Sequence, residues 1–210
     1  MTDQTPSAPV DLTGGETTGS QTAAEVLELH RLAADTAADA QGYLDALTEV
    51  ASGSQSDTAL PVLLLALSQS LLAGARLGAI NDILPSERFE PDAGPDPDID
   101  PVRTALANLF EGLDDYTDLV DPLTSVERVR GSLSDDLADV AADLAHGLRH
   151  YQSGRVDEAL WWWQFSYLST WGLRATSALR VVQSMLSHVR LDADPETVAD
   201  AEFEALHSEV

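Results

Sequence analysis

An all-α fold follows from three observations on this 210-residue sequence. Apolar residues recur at steps of three and four through five long stretches, the spacing that gathers side chains on one side of a helix. Ser, Thr, Asp, Pro and Gly stand between the stretches, where helices start and stop. No run of strict apolar–polar alternation interrupts them, so no strand is expected. The sequence predicts a single bundle of about five main helices over residues 22–191, with a long Pro/Asp-rich loop between the second and the third. Residues 1–21 are rich in Thr, Ser, Gly, Pro and acids, with almost no large apolar groups, and read as a disordered tail. Residues 192–210 form an acidic extension in which Asp194-Pro195-Glu196 opens a short helix carrying Val198, Phe203 and Leu206.

The first helix spans Thr22 to Ala51, with Val26, Leu29, Leu32, Ala33, Ala40, Tyr43, Leu44, Leu47 and Val50 inward, and Ser52-Gly53-Ser54 ending it. The second starts near Asp57 or Thr58, takes Pro61 in its first turn and runs to Ile80. It approaches the ~20 apolar residues that a bilayer span needs. Ser68, Gln69, Ser70 and Arg76 favour a buried bundle helix instead. Gly74 and Gly78 offer a groove for close packing. Between Asn81 and Asp100 four prolines exclude helix, and Phe89 and Ile99 are candidates to pin that loop to the core. Asp100-Pro101 reads as cap and first residue of a third helix, which carries Val102, Leu106, Leu109, Phe110, Leu113, Tyr116 and Leu119 to a stop at Asp121-Pro122. The fourth starts at Ser132 or Ser134 and ends at Tyr151, burying Leu133, Leu137, Val140, Leu144 and Leu148.

The fifth helix, Glu158 to Val189, is the central one. It holds all four tryptophans, Trp161, Trp162, Trp163 and Trp171, with Phe165 and Tyr167. Wound at ~100° per residue, it puts Trp161, Phe165, Leu168, Gly172, Ala175, Leu179 and Leu186 on one inward face. The three consecutive tryptophans sweep ~200° and cannot all face one neighbour. Trp162 falls on the polar side with Ser166, Ser169, Thr176 and Arg180.

Charge and composition narrow the function. The chain carries 36 acidic residues against 11 basic ones, a net charge of −25, and every basic residue is Arg. Such a field repels phosphate backbones and anionic membrane surfaces, so neither nucleic acid nor membrane is an expected direct partner. The absence of Cys removes disulfides, thiol catalysis and thiolate metal sites. There is no nucleophile elbow, no glycine-rich phosphate loop and no Lys for a Schiff base, which lowers the expectation of an enzyme. No signal peptide is apparent, and the cytoplasm is the expected compartment.

The Leu60–Ile80 run, the Arg88–Asp100 loop, Asp114-Asp115-Tyr116 and the Leu160–Gly172 aromatic run, in that order, resemble the actinobacterial branch of a bacterial family catalogued as domain of unknown function 5063. The resemblance covers about residues 24 to 191. It implies a helical protein with no assigned activity, so it transfers no catalytic residues. An actinobacterial origin would also account for Arg without Lys.

Three constellations are candidate sites. Asp139, Asp143, His146 and His150 form a column on the fourth helix. Two His at i, i+4 can chelate a divalent metal with carboxylates a turn away. The run His146-Gly147-Leu148-Arg149-His150 lacks the metalloprotease Glu, however, and the column lies opposite the apolar stripe, toward solvent. Asp92, Asp96, Asp98 and Asp100 alternate along the loop as calcium ligands do, but counted from Asp96 the sixth and twelfth positions are Pro101 and Ala107, not the Gly and Glu of an EF-hand. A looser calcium site stays open beside two other readings, a Pro-stiffened acidic loop whose last Asp caps a helix and a set of carboxylates offered to a basic protein partner. Trp162, with Phe89, Glu90 and Asp92, is the candidate partner-binding set, set against plain core packing of the tryptophans. No cofactor is expected, and a divalent metal is the alternative. The leading expectation is a non-enzymatic module that binds another protein or a copy of itself. A metal-dependent bundle enzyme is the rival, and an accessory to DNA repair acting through protein partners comes third.

Overall fold

The computed structural model describes residues 15–54, 58–85, 91, 94–95, 97–121 and 123–191, with backbone alone for 15–22. Asp57, Phe89, Glu90, Asp92, Asp96, Pro122, residues 1–14 and residues 192–210 lie outside the described set, and with them the expected C-terminal helix.

The elements in order are α1 (Gly15–Ala51), α2 (Ala59–Gly78), α3 (Asp100–Leu109), β1 (Asp115–Leu119), β2 (Arg128–Ser132), α4 (Leu133–Gln152), α5 (Val156–Ser166), a five-residue π turn (Tyr167–Trp171) and α6 (Gly172–Leu191). The bundle is built from α1, α2, α4 and the long α5–π–α6 unit. α2 packs between α1 and α6, α4 against α1, α5 and α6, and the short α3 against α4 and α1. The core between them holds Tyr43, Leu47, Leu63, Leu67, Leu77, Leu106, Leu137, Leu160, Trp163 and Trp171, all fully buried. Burial of each such side chain contributes about 1.5–3 kcal/mol. The Tyr43 hydroxyl donates to the Leu137 carbonyl at 3.0 Å and ties α1 to α4. By length and composition α2 is apolar enough to cross a membrane; within the bundle it buries Leu63, Leu67 and Leu77 and leaves Leu65 and Leu72 exposed.

Two glycines are required by close approach. A Cβ on Gly74 would collide with the Tyr167 and Trp171 rings, so the expected α2 groove is real and Tyr167 fills it. A Cβ on Gly147 would enter the Trp163 indole, whose Nε1–H donates to the Leu144 carbonyl at 3.1 Å.

Four expectations need correction. α1 begins at Gly15, within the stretch read as tail. Once a helix is nucleated each added residue makes one bond, and no Pro blocks extension toward the N-terminus there. The third helix ends at Leu109 instead of Leu119. Gly112 turns the chain with φ +82°, and Asp115–Leu119 pairs antiparallel with Arg128–Ser132, Asp115 opposite Ser132 and Leu119 opposite Arg128. This hairpin is the strand structure that the sequence did not predict. Asp100 is the first residue of α3 and not its cap; Ile99 occupies the cap position, and the Asp98 carboxylate accepts the Asp100 N–H at 3.2 Å. The central helix, lastly, is interrupted. The Gly172 N–H donates to the Tyr167 carbonyl five residues back, which is the π pattern, and the extra residue rotates everything before it relative to α6. α4 does start at Ser132, whose hydroxyl accepts the Asp135 N–H.

Candidate functional site

Extending the expected α4 column by one member gives Asp136, Asp139, Asp143, His146 and His150, spaced three, four, three and four apart. The column does not face solvent, because α3, α5, the π turn and α6 close over it. His150 is fully buried. Asp136, 5% exposed, accepts from the Tyr116 hydroxyl of β1 and from Arg174 Nη1 of α6 at 3.0 Å. Asp139 takes Arg103 Nη2 from α3 at 2.8 Å and Arg174 Nη1 at 3.2 Å. Asp143 accepts the Thr170 hydroxyl of the π turn at 2.7 Å, and its backbone carbonyl accepts Trp162 Nε1–H at 2.9 Å. Together these interactions link α4 to β1, α3, α5, the π turn and α6, so the column is a polar seam that fastens the hairpin and α3 to the bundle and ties α4 to the α5–π–α6 unit within it.

Burial holds the Asp136 and Asp143 carboxyls above the usual carboxylate range, against the hydrogen bonds from Tyr116 and Arg174 and from Thr170 that favour ionisation. Burial likewise raises the Tyr116 phenol, with the Asp136 carboxylate adding to it.

The two histidines are ordered by Arg149. Its Nη2 lies 2.9 Å from His146 Nδ1, and a guanidinium only donates, so Nδ1 accepts. The proton of a neutral His146 is then on Nε2, which faces His150 Nε2 at 3.3 Å. Among the described residues no three His, Asp or Glu side chains converge as metal ligands do. Arg149 Nη1 also donates to the carbonyls of Gly94 (2.9 Å) and Pro95, pinning the long loop to α4. Of the loop acids, Asp98 and Asp100 are both exposed and serve the first turn of α3, Asp100 lying 3.9 Å from Arg103.

The aromatic run divides by direction. Trp163 and Trp171 are core. Trp162, expected on the polar side, is half-buried: its ring lies 4.1 Å from the His146 ring, and its N–H is bonded to α4. The side chains left outward are those expected inward. Phe165 is 53% and Leu168 65% exposed, and half-buried Trp161 stacks on Phe165 at 5.6 Å and 11°. The π turn is the cause: the sequence stripe 161–165–168–172–175 is continuous only at a constant 100° per residue, and here Gly172 and Ala175 stay inside while the earlier members swing out.

These outward residues form one bank of an open groove of about 400 Å³; the other bank is Asp82, Ile83 and Leu84, just after α2. Gln164, buried at the base, joins the banks. Its Nε2 donates to the carbonyls of Leu77 (2.9 Å) and Asn81 (3.2 Å), and its Oε1 accepts the Ile83 N–H at 2.8 Å. Sequence reasoning missed Gln164, although a lone amide inside a run of aromatics was the available signal.

The crystal structure of protein BF1032 from Bacteroides fragilis is similar at TM-score 0.55 and 19% identity, over 81% of this chain and 94% of that one, a likeness of fold alone. No curated protein matches the chain. The family model described as a domain of unknown function, DUF5063, matches residues 28–188. The chain belongs to the DUF5063 family.

Proposed function

We propose that this protein is a non-enzymatic interaction module whose docking surface is the outward aromatic face of α5 and the π turn. The observation that carries the proposal is the Trp161–Phe165–Leu168 stripe, an aromatic and apolar bank with Phe165 and Leu168 exposed and Trp161 half-buried, although the same α5–π unit buries Trp163 and Trp171. Exposed apolar patches with an aromatic centre are where proteins dock. The α4 seam supports this reading over a hydrolytic one, since its carboxylates are already committed to Arg103, Arg174, Tyr116 and Thr170. The acidity of the chain supports protein partners over nucleic acid.

The test is Leu168→Asp, a change at an exposed position that leaves the core alone. Native mass spectrometry of both proteins, purified gently from their own host, should show a complex with the unaltered chain that the variant lacks, with unchanged helical circular dichroism. The same complex at the same abundance in both would overturn the docking surface.

A further inference from the structure

The groove says something about its occupant. Trp161, Phe165 and Leu168 follow one another at steps of four and three, a line about 10 Å long at 1.5 Å per residue. Leu84, 82% exposed, stands across from them, and the groove is open to solvent between the banks. A linear apolar bank of this length matches the i, i+4, i+7 anchors of a helix lying in a groove. The one charged residue lining it, among those described, is Asp82. The chain around it carries a net charge of −25 and has no Lys.

Charge decides among the occupants. A second copy would bring another −25 against the first. Residues 192–210 contain seven acidic residues and no Arg, so the chain's own C-terminal segment meets the same repulsion. A cationic segment is instead drawn in, and Asp82 at the rim gives it a fixed counter-charge. We infer that the groove receives an amphipathic helix of another protein, with aliphatic anchors on one face and Arg or Lys beside them. The inference rests on the docking surface proposed above and names its partner class.

Two designed helical peptides with the same Leu positions, one flanked by Arg and one by Glu, test it. Binding to the full chain is followed by tryptophan fluorescence and titration calorimetry, beside sedimentation of the chain alone. The expected result is that the Arg peptide binds at least about tenfold more tightly than the Glu peptide, that added salt narrows the difference, and that Leu168→Ser abolishes binding. Equal binding of both peptides would leave the docking surface standing and overturn the cationic partner. A dimer dissolved by Leu168→Ser would do the same, naming the second copy as occupant. A monomer that binds neither peptide would overturn the inference and the docking surface together.

Discussion

Replacing Gln164 by Met tests whether one buried amide holds the two banks of the groove together. The substitution keeps the length of the side chain and deletes three hydrogen bonds at once. The Leu77 carbonyl, in the last turn of α2, is buried with its acceptor bond made to Gln164. Leaving a buried polar group unsatisfied costs about 1–3 kcal/mol. The Asn81 carbonyl and the Ile83 N–H are only partly buried, so water replaces much of what they lose. Together the loss comes to about 3 kcal/mol, with about 0.5–1 kcal/mol for each of the two wetter bonds. With a urea m-value of about 2–3 kcal/mol/M, the unfolding midpoint should fall by about 1 M. Hydrogen exchange of the Ile83 amide should accelerate beyond the global change, since its acceptor is gone. A midpoint within about 0.2 M of the unaltered protein, with Ile83 still protected, would refute the assignment of Gln164 as the clip.

Three further outcomes follow from the packing and the charges. Gly147→Ala forces a methyl into the Trp163 indole and should lower stability by about 1–3 kcal/mol, whereas Gly42→Ala, on the exposed side of α1 with nothing within 4 Å of its Cβ, should raise it by about 0.5–1 kcal/mol; paired thermal melts check both signs. Burial alone would push the Asp118 carboxyl up, but bonds from Ser177, the Leu119 N–H and Arg180 hold it below the usual range. A depressed carboxyl stabilises the folded state above its unfolded value and loses that contribution as pH falls, so Asp118→Asn should destabilise at pH near 7, by about 1 kcal/mol for a partly exposed pair, with the difference fading below about pH 4. Asp136 runs the other way: its carboxyl is raised, chiefly by burial, so its contribution to stability declines as pH climbs from the unfolded value through the raised one. A pH series of chemical denaturation on Asp136→Asn should therefore show the smaller deficit at the higher pH.

The helices were legible wherever one face of a stretch is apolar and its ends are capped. α4 is the clearest case: Leu133, Leu137, Val140, Leu144 and Leu148 lie in the core as their spacing requires, and Ser132 caps the helix. The glycine groove of α2 was legible too, since only a missing Cβ admits a ring that close. The hairpin was not. Asp-Tyr-Thr-Asp-Leu becomes a strand because Tyr116 and Asp118 find Asp136, Ser177 and Arg180 on α4 and α6, more than fifteen residues away. Local spacing contains no trace of such partners.

The candidate site divides along the same line. The α4 column is set by three-and-four spacing alone, and its membership was readable. That it lies under α3 and α6 instead of in water depends on Arg103 and Arg174 arriving from distant elements to neutralise it. The aromatic stripe 161–165–168 was likewise visible, yet its direction was reversed by one extra residue in the π turn. By itself the sequence determined the helices, their apolar faces and the excess of negative charge, because these depend on neighbours within a few residues. The tertiary structure decided which faces are covered and which aromatic side chains reach solvent, because both depend on where Tyr167 and Trp171 seat against Gly74 and on how far the backbone must rotate to put them there.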